Sequence, residues 1–154
     1  MGKEIERKFL TKGEAWRDLG EGLRYRQGYL STAKERVVRV RTVGRRGYLT
    51  IKGISHGATR AEFEYPIPLE DAETLLNDLC QRPLVEKVRY RVTMGDLVWE
   101  IDEFEGVNQG LIVAEVELTR EDQPLPLPPW IGEEVTDDPR YFNANLIAHP
   151  YITW

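Results

Sequence analysis

Apolar and polar residues alternate along most of this chain, and short turn sequences interrupt the alternation. A two-residue period is typical of β-strands that bury one face. It predicts eight strands, over residues 3–10, 23–31, 36–43, 48–53, 59–67, 85–93, 97–104 and 111–119. Closing such a sheet on itself removes its exposed edges. We therefore expect a mainly β (α+β) fold, an eight-stranded antiparallel closed barrel with a few peripheral helices.

Three segments depart from this pattern and predict helices. Thr11 to Glu14 matches a capping box and predicts a short helix through Trp16. Asp138 and Pro139 resemble an N-cap and first helical position, which predicts a C-terminal helix through Leu146. A third helix is predicted by apolar residues at helical spacing before Pro83, namely Leu69, Ala72, Leu75, Leu76 and Leu79. No domain boundary is evident, so residues 1–154 are expected to form one domain.

Composition narrows the functional classes. The chain has 154 residues and a net charge of −5, which argues against a nucleic-acid partner. Its single cysteine, Cys80, excludes an internal disulfide and fits a reducing cytoplasm. Two histidines exclude a His-rich zinc site, so carboxylates must hold any metal ion. Without a long apolar run or an apolar start, we expect a cytoplasmic protein with no membrane association.

The polar faces of the predicted strands carry charges of sorted sign. Alternate positions of one strand share a face about 6.6 Å apart. Strands three and six present mainly cations, and strands five, seven and eight present carboxylates. In strand order the charged positions are Glu4, Glu6, Lys8; Arg39, Arg41; Lys52; Glu62, Glu64; Lys87, Arg89, Arg91; Glu100, Asp102; and Glu115, Glu117.

For any one strand, a solvated outer face explains such charges equally well. For the whole set, however, a solvated sheet would intersperse the signs, because like neighbours repel each other. Sorted carboxylates and guanidiniums suit a small polyanion that binds together with metal cations. A transmembrane barrel is also polar inside, but here helices interrupt the strands and no aromatic girdle is evident.

The residue types indicate phosphate chemistry. Arg39, Arg41, Lys87 and Arg89 offer donors for phosphate oxygens, and the arginine forks allow bidentate contacts. Carboxylates would repel phosphate unless Mg²⁺ or Mn²⁺ bridges the two, and both ions prefer oxygen ligands. Such a metal polarises a phosphoryl group and activates water, so no nucleophilic side chain is needed.

These residues resemble the CYTH superfamily, the triphosphate tunnel metalloenzymes, over the whole chain. Residues 4–8 match its N-terminal E-x-E-x-K signature. The Tyr29 region and residues 133–141 look like the short bacterial tripolyphosphatase-like members. The resemblance continues in family order through Arg39-Val40-Arg41, Thr50-Ile51-Lys52, Glu62-Phe63-Glu64, Lys87-Val88-Arg89, Glu100-Ile101-Asp102 and Glu115-Val116-Glu117.

The resemblance implies a metal-dependent tunnel and assigns roles within it. Residues that match metal ligands are Glu4, Glu6, Glu115 and Glu117, with Glu62, Glu64, Glu100 and Asp102 as further metal or water ligands. Residues that match phosphate contacts are Lys8, Arg39, Arg41, Lys52, Lys87 and Arg89. Lys8 shares a face with Glu4 and Glu6, and we expect these three in the catalytic centre. Tyr29 either closes the tunnel or packs, and Arg91 extends the Lys87–Arg89 pair.

The resemblance favours hydrolysis of inorganic tripolyphosphate to pyrophosphate and phosphate. Alternatives are a nucleoside triphosphatase, a class IV-type adenylyl cyclase, or a polyphosphate-binding module without turnover. No nucleotide-binding motif is evident in the sequence, and the basic residues suffice for the phosphates alone.

Overall fold

The computed structural model describes residues 3–154, in which nine antiparallel strands form one continuous sheet. The sheet order is β5-β4-β3-β2-β6-β7-β8-β1-β9, and an additional β5–β1 pairing closes the first eight strands into a barrel. The predicted eight-stranded barrel is thereby confirmed. The strands are β1 (Lys3–Thr11), β2 (Gly22–Ser31), β3 (Val37–Val43), β4 (Arg46–Lys52), β5 (Thr59–Ile67), β6 (Val85–Met94), β7 (Leu97–Phe104), β8 (Ile112–Glu117) and β9 (Ile131–Glu134).

Short helices lie outside the barrel or at its ends. Helix α1 (Leu69–Thr74) continues as a π-helical turn over Leu75–Leu79, and α2 is a single turn (Asn145–Ala148). Within residues 3–154, none of these helices has the length and apolar character needed to cross a membrane. Four 3₁₀ helices cover Ala15–Asp18, Gly106–Asn108, Pro139–Tyr141 and Tyr151–Thr153.

The main apolar core lies outside the barrel, against the outer faces of β1, β6, β7 and β8. Trp99 is its fully buried centre, and its ring packs edge-to-face on Phe9 at 5.6 Å and on Trp130 at 5.8 Å. Trp16, from the first 3₁₀ helix, and Ile131, from β9, belong to the same cluster. Because this cluster buries the outward apolar positions, the inward positions are left to polar side chains.

A second outer core lies under α1. Val40 on β3 packs against Ala72, Leu76 and Cys80, so Cys80 has the packing role of a buried apolar residue. At Gly28 on β2, the Cβ of any larger residue would lie only 2.8 Å from the Cβ of Cys80. Glycine therefore lets the helical segment approach the sheet.

One end of the barrel, called here the closed end, is filled by apolar side chains. They come from the last inward positions of several strands and from residues 135–147 of the C-terminal segment. The β2–β3 and β4–β5 connections lie at this same end, because Val37 pairs with Lys52 at the start of β3 and the end of β4. The cluster comprises Tyr29, Val37, Val85, Phe104, Leu111, Val113, Val135, Tyr141, Leu146 and Ile147.

Local predictions were wrong at three places. Thr11 remains in β1, and the following helix begins at Ala15 without a side-chain cap. Asp138 does cap the C-terminal segment by accepting from the Arg140 N–H at 3.1 Å, but the backbone leaves the helical region at Phe142, so two short helices replace one. Strand β9 was missed because four residues carry too little alternation to stand out.

Outward-facing residues differ in how well they are covered. Phe9 and Phe63 both point away from the lumen, yet Phe9 is 2% exposed in the main outer core and Phe63 is 48% exposed. Phe63 is therefore left half-exposed, although Ile67, at the end of the same strand, packs against the cluster under α1.

This contrast gives a matched stability test. Phe9→Ala should lower the free energy of unfolding by about 3–5 kcal/mol, because it opens a cavity in a packed core. Phe63→Ala should lower it by about 1 kcal/mol or less, because a half-exposed ring loses little burial. Urea unfolding of both variants measures the difference, and equal losses would contradict this arrangement of the core.

Candidate active site

The inward faces of the strands line a cavity of about 800 Å³ in which fifteen charged side chains meet. Alternation along the strands brings thirteen of them together, as expected, whereas Lys34 and Arg60 were not predicted. The lining cations are Lys8, Lys34, Arg39, Arg41, Lys52, Arg60, Arg89 and Arg91. The lining carboxylates are Glu4, Glu6, Glu62, Glu64, Glu100, Glu115 and Glu117. Eight cations therefore face seven carboxylates, and the wall is close to electrical neutrality despite its charge density.

Glu115 is held between cations from two strands. Its carboxylate accepts from Lys8 Nζ at 3.2 Å and from Arg89 Nη2 at 3.1 Å. Burial would raise its pKa, but Lys8 and Arg89 outweigh burial and hold the pKa of this carboxyl far below its usual range. Glu115 is thus a fixed anion in the wall.

Arg89 is the hub of the most buried ion-pair network. Its Nε and Nη2 donate to the two oxygens of Asp102 at 2.7 and 2.8 Å, and its Nη1 reaches Glu100 at 3.2 Å. Lys87, which is fully buried, donates to Asp102 at 2.6 Å from behind. Most donors of this guanidinium are therefore directed at carboxylates.

Lys87 and Asp102 do not line the cavity, although the sequence placed them among the phosphate and metal ligands. Both oxygens of Asp102 are already occupied by Arg89 and Lys87. The two-residue period gave their face correctly but not their depth. Their side chains lie beneath Arg89, toward Phe104 and the closed end.

Arg39 and Arg41 are less fully engaged than Arg89. Both lie near Glu64, with Nη2 to oxygen distances of 3.5 and 3.3 Å. Thr50 donates to the same carboxylate at 2.7 Å. The Nε atoms of both arginines are buried without a hydrogen-bond partner in the described residues, as is the amide of Gln27. Buried donors without partners are costly, so these atoms fit a site that receives acceptor oxygens from a ligand.

Two further carboxylates sit in surroundings that disfavour their charge. Burial, together with nearby Glu115, raises the pKa of Glu6 to about 7. Burial and the charges of Glu62, Glu6 and Glu100 also raise the pKa of Glu117. A divalent cation would relieve this repulsion, so the donor set suits a hard metal ion.

In the described part of the chain, no three carboxylate, histidine or cysteine side chains enclose an ion-sized site by themselves. Glu4, for example, is drawn to Lys52 at 3.1 Å. Mg²⁺ is commonly held by one or two carboxylates, with water and substrate phosphates completing its shell. Glu4, Glu6, Glu62, Glu100, Glu115 and Glu117 fit that form of binding.

Several cavity residues were not anticipated from the sequence. Lys34 lies in a connection and Arg60 opens an otherwise acidic strand face, so neither stood out in the charge pattern. Tyr25 lies under Arg89, with 5.0 Å between the guanidinium carbon and the ring centroid. Phe142 lies 5.7 Å from Lys8 Nζ, which brings the C-terminal segment to the wall. Tyr29, for which two roles were open, is buried in the closed-end cluster and also borders the cavity.

The family model of the CYTH domain matches residues 2–151 of this chain. The chain belongs to the CYTH family. Divalent metal dependence is implied by this membership, since these proteins are triphosphate tunnel metalloenzymes.

Two relatives of this CYTH protein carry the same name. An inorganic triphosphatase of Acetivibrio thermocellus is 50% identical over 98% of this chain and 97% of its own length. An inorganic triphosphatase of Nitrosomonas europaea is 38% identical over 93% and 95% of the two chains. The crystal structure of the inorganic triphosphatase NE1496 superposes with a TM-score of 0.63 at 35% identity, over 93% and 96% of the two chains.

A more distant structure shares only the fold. A putative adenylyl cyclase from Hippeastrum has a TM-score of 0.56 at 13% identity, over 78% of this chain and 80% of its own. The barrel fold is thus shared by chains with very different sequences, and the fold alone does not specify the chemistry of the cavity.

The raised pKa of Glu6 gives a pH prediction for the metal-free protein. Because the folded-state value of about 7 exceeds the ordinary 4.5, the folded protein binds this proton more tightly than the unfolded chain. Its stability should therefore fall as pH rises from about 5 to 8. Glu6→Gln removes this ionisation, so the variant should gain stability relative to wild type over that range.

Thermal unfolding at several pH values, in excess chelator, measures the effect. Glu103→Gln is the control, because Glu103 lies on the outward face of β7, where it pairs with Arg17. Parallel pH curves for wild type and Glu6→Gln would contradict the burial of this carboxyl.

Proposed function

We propose that this CYTH protein hydrolyses a linear triphosphate, with inorganic tripolyphosphate as its substrate and pyrophosphate and phosphate as products. The observation that carries the proposal is the 50% identity, over nearly both full lengths, to a protein named inorganic triphosphatase. The cavity supports it, because buried arginine donors without partners lie beside carboxylates suited to a metal ion.

The charge balance of the cavity explains the need for a metal. Its wall is nearly neutral, whereas tripolyphosphate carries several negative charges. Divalent cations bound between carboxylates and phosphates would supply the missing positive charge. We propose Mg²⁺ or Mn²⁺, which both prefer oxygen ligands. When bound, such an ion polarises the phosphoryl group and lowers the pKa of a bound water.

We assign the cavity residues as follows. Arg39, Arg41 and Lys52 bind phosphate oxygens, since their head groups line the cavity. Lys8, beside Glu6 and Glu115, stabilises negative charge on the transferring phosphoryl group. The metal-binding carboxylates are Glu4, Glu6, Glu115 and Glu117, with Glu62, Glu64 and Glu100 as further metal or water ligands.

A buried ion-pair network positions the carboxylates, and it is formed by Arg89, Lys87 and Asp102. Arg89 holds Glu100 and Glu115 toward the cavity, and Asp102, which also pairs with Lys87, holds Arg89 from the side away from the cavity. Arg89 also lines the cavity. We keep it among the phosphate ligands, because its guanidinium N–H groups are not all bonded to carboxylates. For Lys87 and Asp102, full burial favours positioning over direct contact with substrate or metal.

In the reaction, water forms a bond to a terminal phosphorus, and the bond from that phosphorus to its bridging oxygen breaks. Pyrophosphate and phosphate leave, and the proton of the water passes to solvent or to a nearby carboxylate. We further propose that the protein acts in the cytoplasm on a small polyanion, not on nucleic acid. The single cysteine and the net negative charge support this.

A substrate panel tests the function. Tripolyphosphate, ATP and GTP are each incubated with Mg²⁺ or Mn²⁺, and phosphate, pyrophosphate and cyclic nucleotide are measured together. Tripolyphosphate should give equal amounts of phosphate and pyrophosphate, and excess chelator should abolish the reaction. Faster phosphate release from a nucleotide would indicate a nucleoside triphosphatase, cyclic AMP would indicate a cyclase, and binding without turnover would indicate a binding module.

The supporting role of Lys87 gives a separate prediction. Lys87→Met should lower the free energy of unfolding by about 1–3 kcal/mol, because Asp102 loses one charged hydrogen bond while those from Arg89 remain. The KM for tripolyphosphate should stay within about threefold, because Lys87 does not reach the cavity. Arg41→Ala should instead raise KM about thirtyfold or more, corresponding to the loss of a buried charged contact worth about 2 kcal/mol or more.

Arg45→Ala is the matched control for Arg41→Ala, because Arg45 lies exposed in the turn between β3 and β4. Chemical unfolding and steady-state kinetics are measured on the same preparations. A tenfold rise of KM in folded Lys87→Met would contradict the supporting role and indicate that Lys87 binds phosphate directly.

A further inference from the structure

Two cations in the cavity wall differ from the other six in having no anionic partner. Arg60 and Lys34 make no ion pair within 4.0 Å to any described carboxylate. Each of the others has one, and the pairs are Lys8–Glu115, Arg39–Glu64, Arg41–Glu64, Lys52–Glu4, Arg89–Asp102 and Arg91–Glu100. Arg60 and Lys34 are therefore the cations of the wall whose charge is not already paired with a described carboxylate.

A backbone hydrogen bond orients the guanidinium of Arg60 and leaves its two Nη groups available to a ligand. Arg60 is the second residue of β5, and its backbone lies opposite that of Glu4 in the antiparallel β1–β5 pairing. Its Nε donates to the carbonyl oxygen of Gly53 at 3.1 Å. With Nε held in this way, the two Nη groups are the part of the guanidinium that can meet an anion. Two parallel N–H groups match the oxygens of a phosphate group.

Both cations lie toward the closed end of the barrel. Lys34 belongs to the β2–β3 connection, and Arg60 follows the β4–β5 connection. Arg60 also borders a small recess next to the main cavity, together with Lys8, Ser55 and Phe142. The neighbouring cavity wall carries the neutral side chains of Asn143 and Asn145 from the C-terminal segment.

Arg60 acts electrostatically on Tyr29 together with Arg39 and Lys8, so these three cations lie in one region. Burial raises the pKa of the Tyr29 phenol, and the charges of Arg39, Lys8 and Arg60 oppose that rise. These three cations come from three different strands. Their charges therefore act on one region at the closed end.

We propose that Arg60, assisted by Lys34, forms an additional anion subsite at the closed end that binds a terminal phosphate group of a linear phosphate chain. The subsite rests on the proposed function, which supplies the linear phosphate. The carboxylates around Glu117 and the unpaired cations at Arg60 then act on different parts of the bound chain. Lys34 and Arg60 determine which chain lengths bind well, because a shorter chain does not span both regions.

Arg60→Gln tests the subsite, because the amide can still donate to the Gly53 carbonyl while the charge and the fork are lost. The KM and kcat for tripolyphosphate and the inhibition constant of pyrophosphate are all measured with Mg²⁺. We expect the KM for tripolyphosphate to rise about tenfold, with kcat within about twofold and with a smaller change in the inhibition constant of pyrophosphate. Arg45→Gln is the control for loss of one positive charge.

Each outcome decides the proposal. Unchanged tripolyphosphate binding in Arg60→Gln, while wild type hydrolyses tripolyphosphate, overturns the subsite and leaves the proposed function standing. Equal losses for tripolyphosphate and pyrophosphate, with a lowered Tm, identify Arg60 as a clamp of the β4–β5 turn and also overturn it. If Arg60→Gln fails to fold, Lys34→Gln in the exposed connection carries the same chain-length test. Wild type that neither binds nor hydrolyses tripolyphosphate overturns both proposals.

Discussion

The structure depends on the neutralisation of charges inside a closed barrel. Unpaired buried charges are costly, and removal of one partner of a buried pair is strongly destabilising. Here Glu115 lies between Lys8 and Arg89, and Arg89 in turn is paired with Asp102, which also pairs with Lys87. The network joins β1, β6, β7 and β8, so the same pairs that make the lumen tolerable also fix its side chains in place. A rigid polar lumen of this kind can receive a charged ligand with little rearrangement.

This polar interior is possible because the apolar cores lie elsewhere. The cluster around Trp99 covers one outer side of the sheet, and α1 covers another over Val40. The closed-end cluster seals the barrel with residues from strands and from the C-terminal segment. Burial of apolar area outside the barrel stabilises the fold, and the lumen is left free for function. The exposed ring of Phe63 marks where this outer covering ends.

The sequence predicted which face each strand turns inward, but not how deep each side chain lies. Period-two alternation assigned Glu4, Arg39, Glu62 and Glu115 to one lumen because the pleat forces alternate residues to one side. The same rule treated Lys87 like Arg89, although the first is buried and the second reaches the cavity. Depth depends on strand tilt and on the residues that seal the closed end, and neither is encoded in local spacing. Arg60 was missed because the other charged residues on its strand face are acidic. Lys34 was missed because it lies in a connection and not in a strand.

The near neutrality of the cavity wall links the fold to the chemistry. A wall with a large excess of cations would bind phosphate tightly without help, but its charges would repel each other in the folded protein. Pairing most of the cations with carboxylates removes that repulsion and leaves a site that needs added positive charge to hold a polyanion. A divalent ion would supply it, and two of its proposed ligands, Glu6 and Glu117, are carboxyl groups whose charge the wall disfavours, since their pKa values are raised. Metal and phosphate therefore stabilise each other in this site, so binding of either one favours binding of the other.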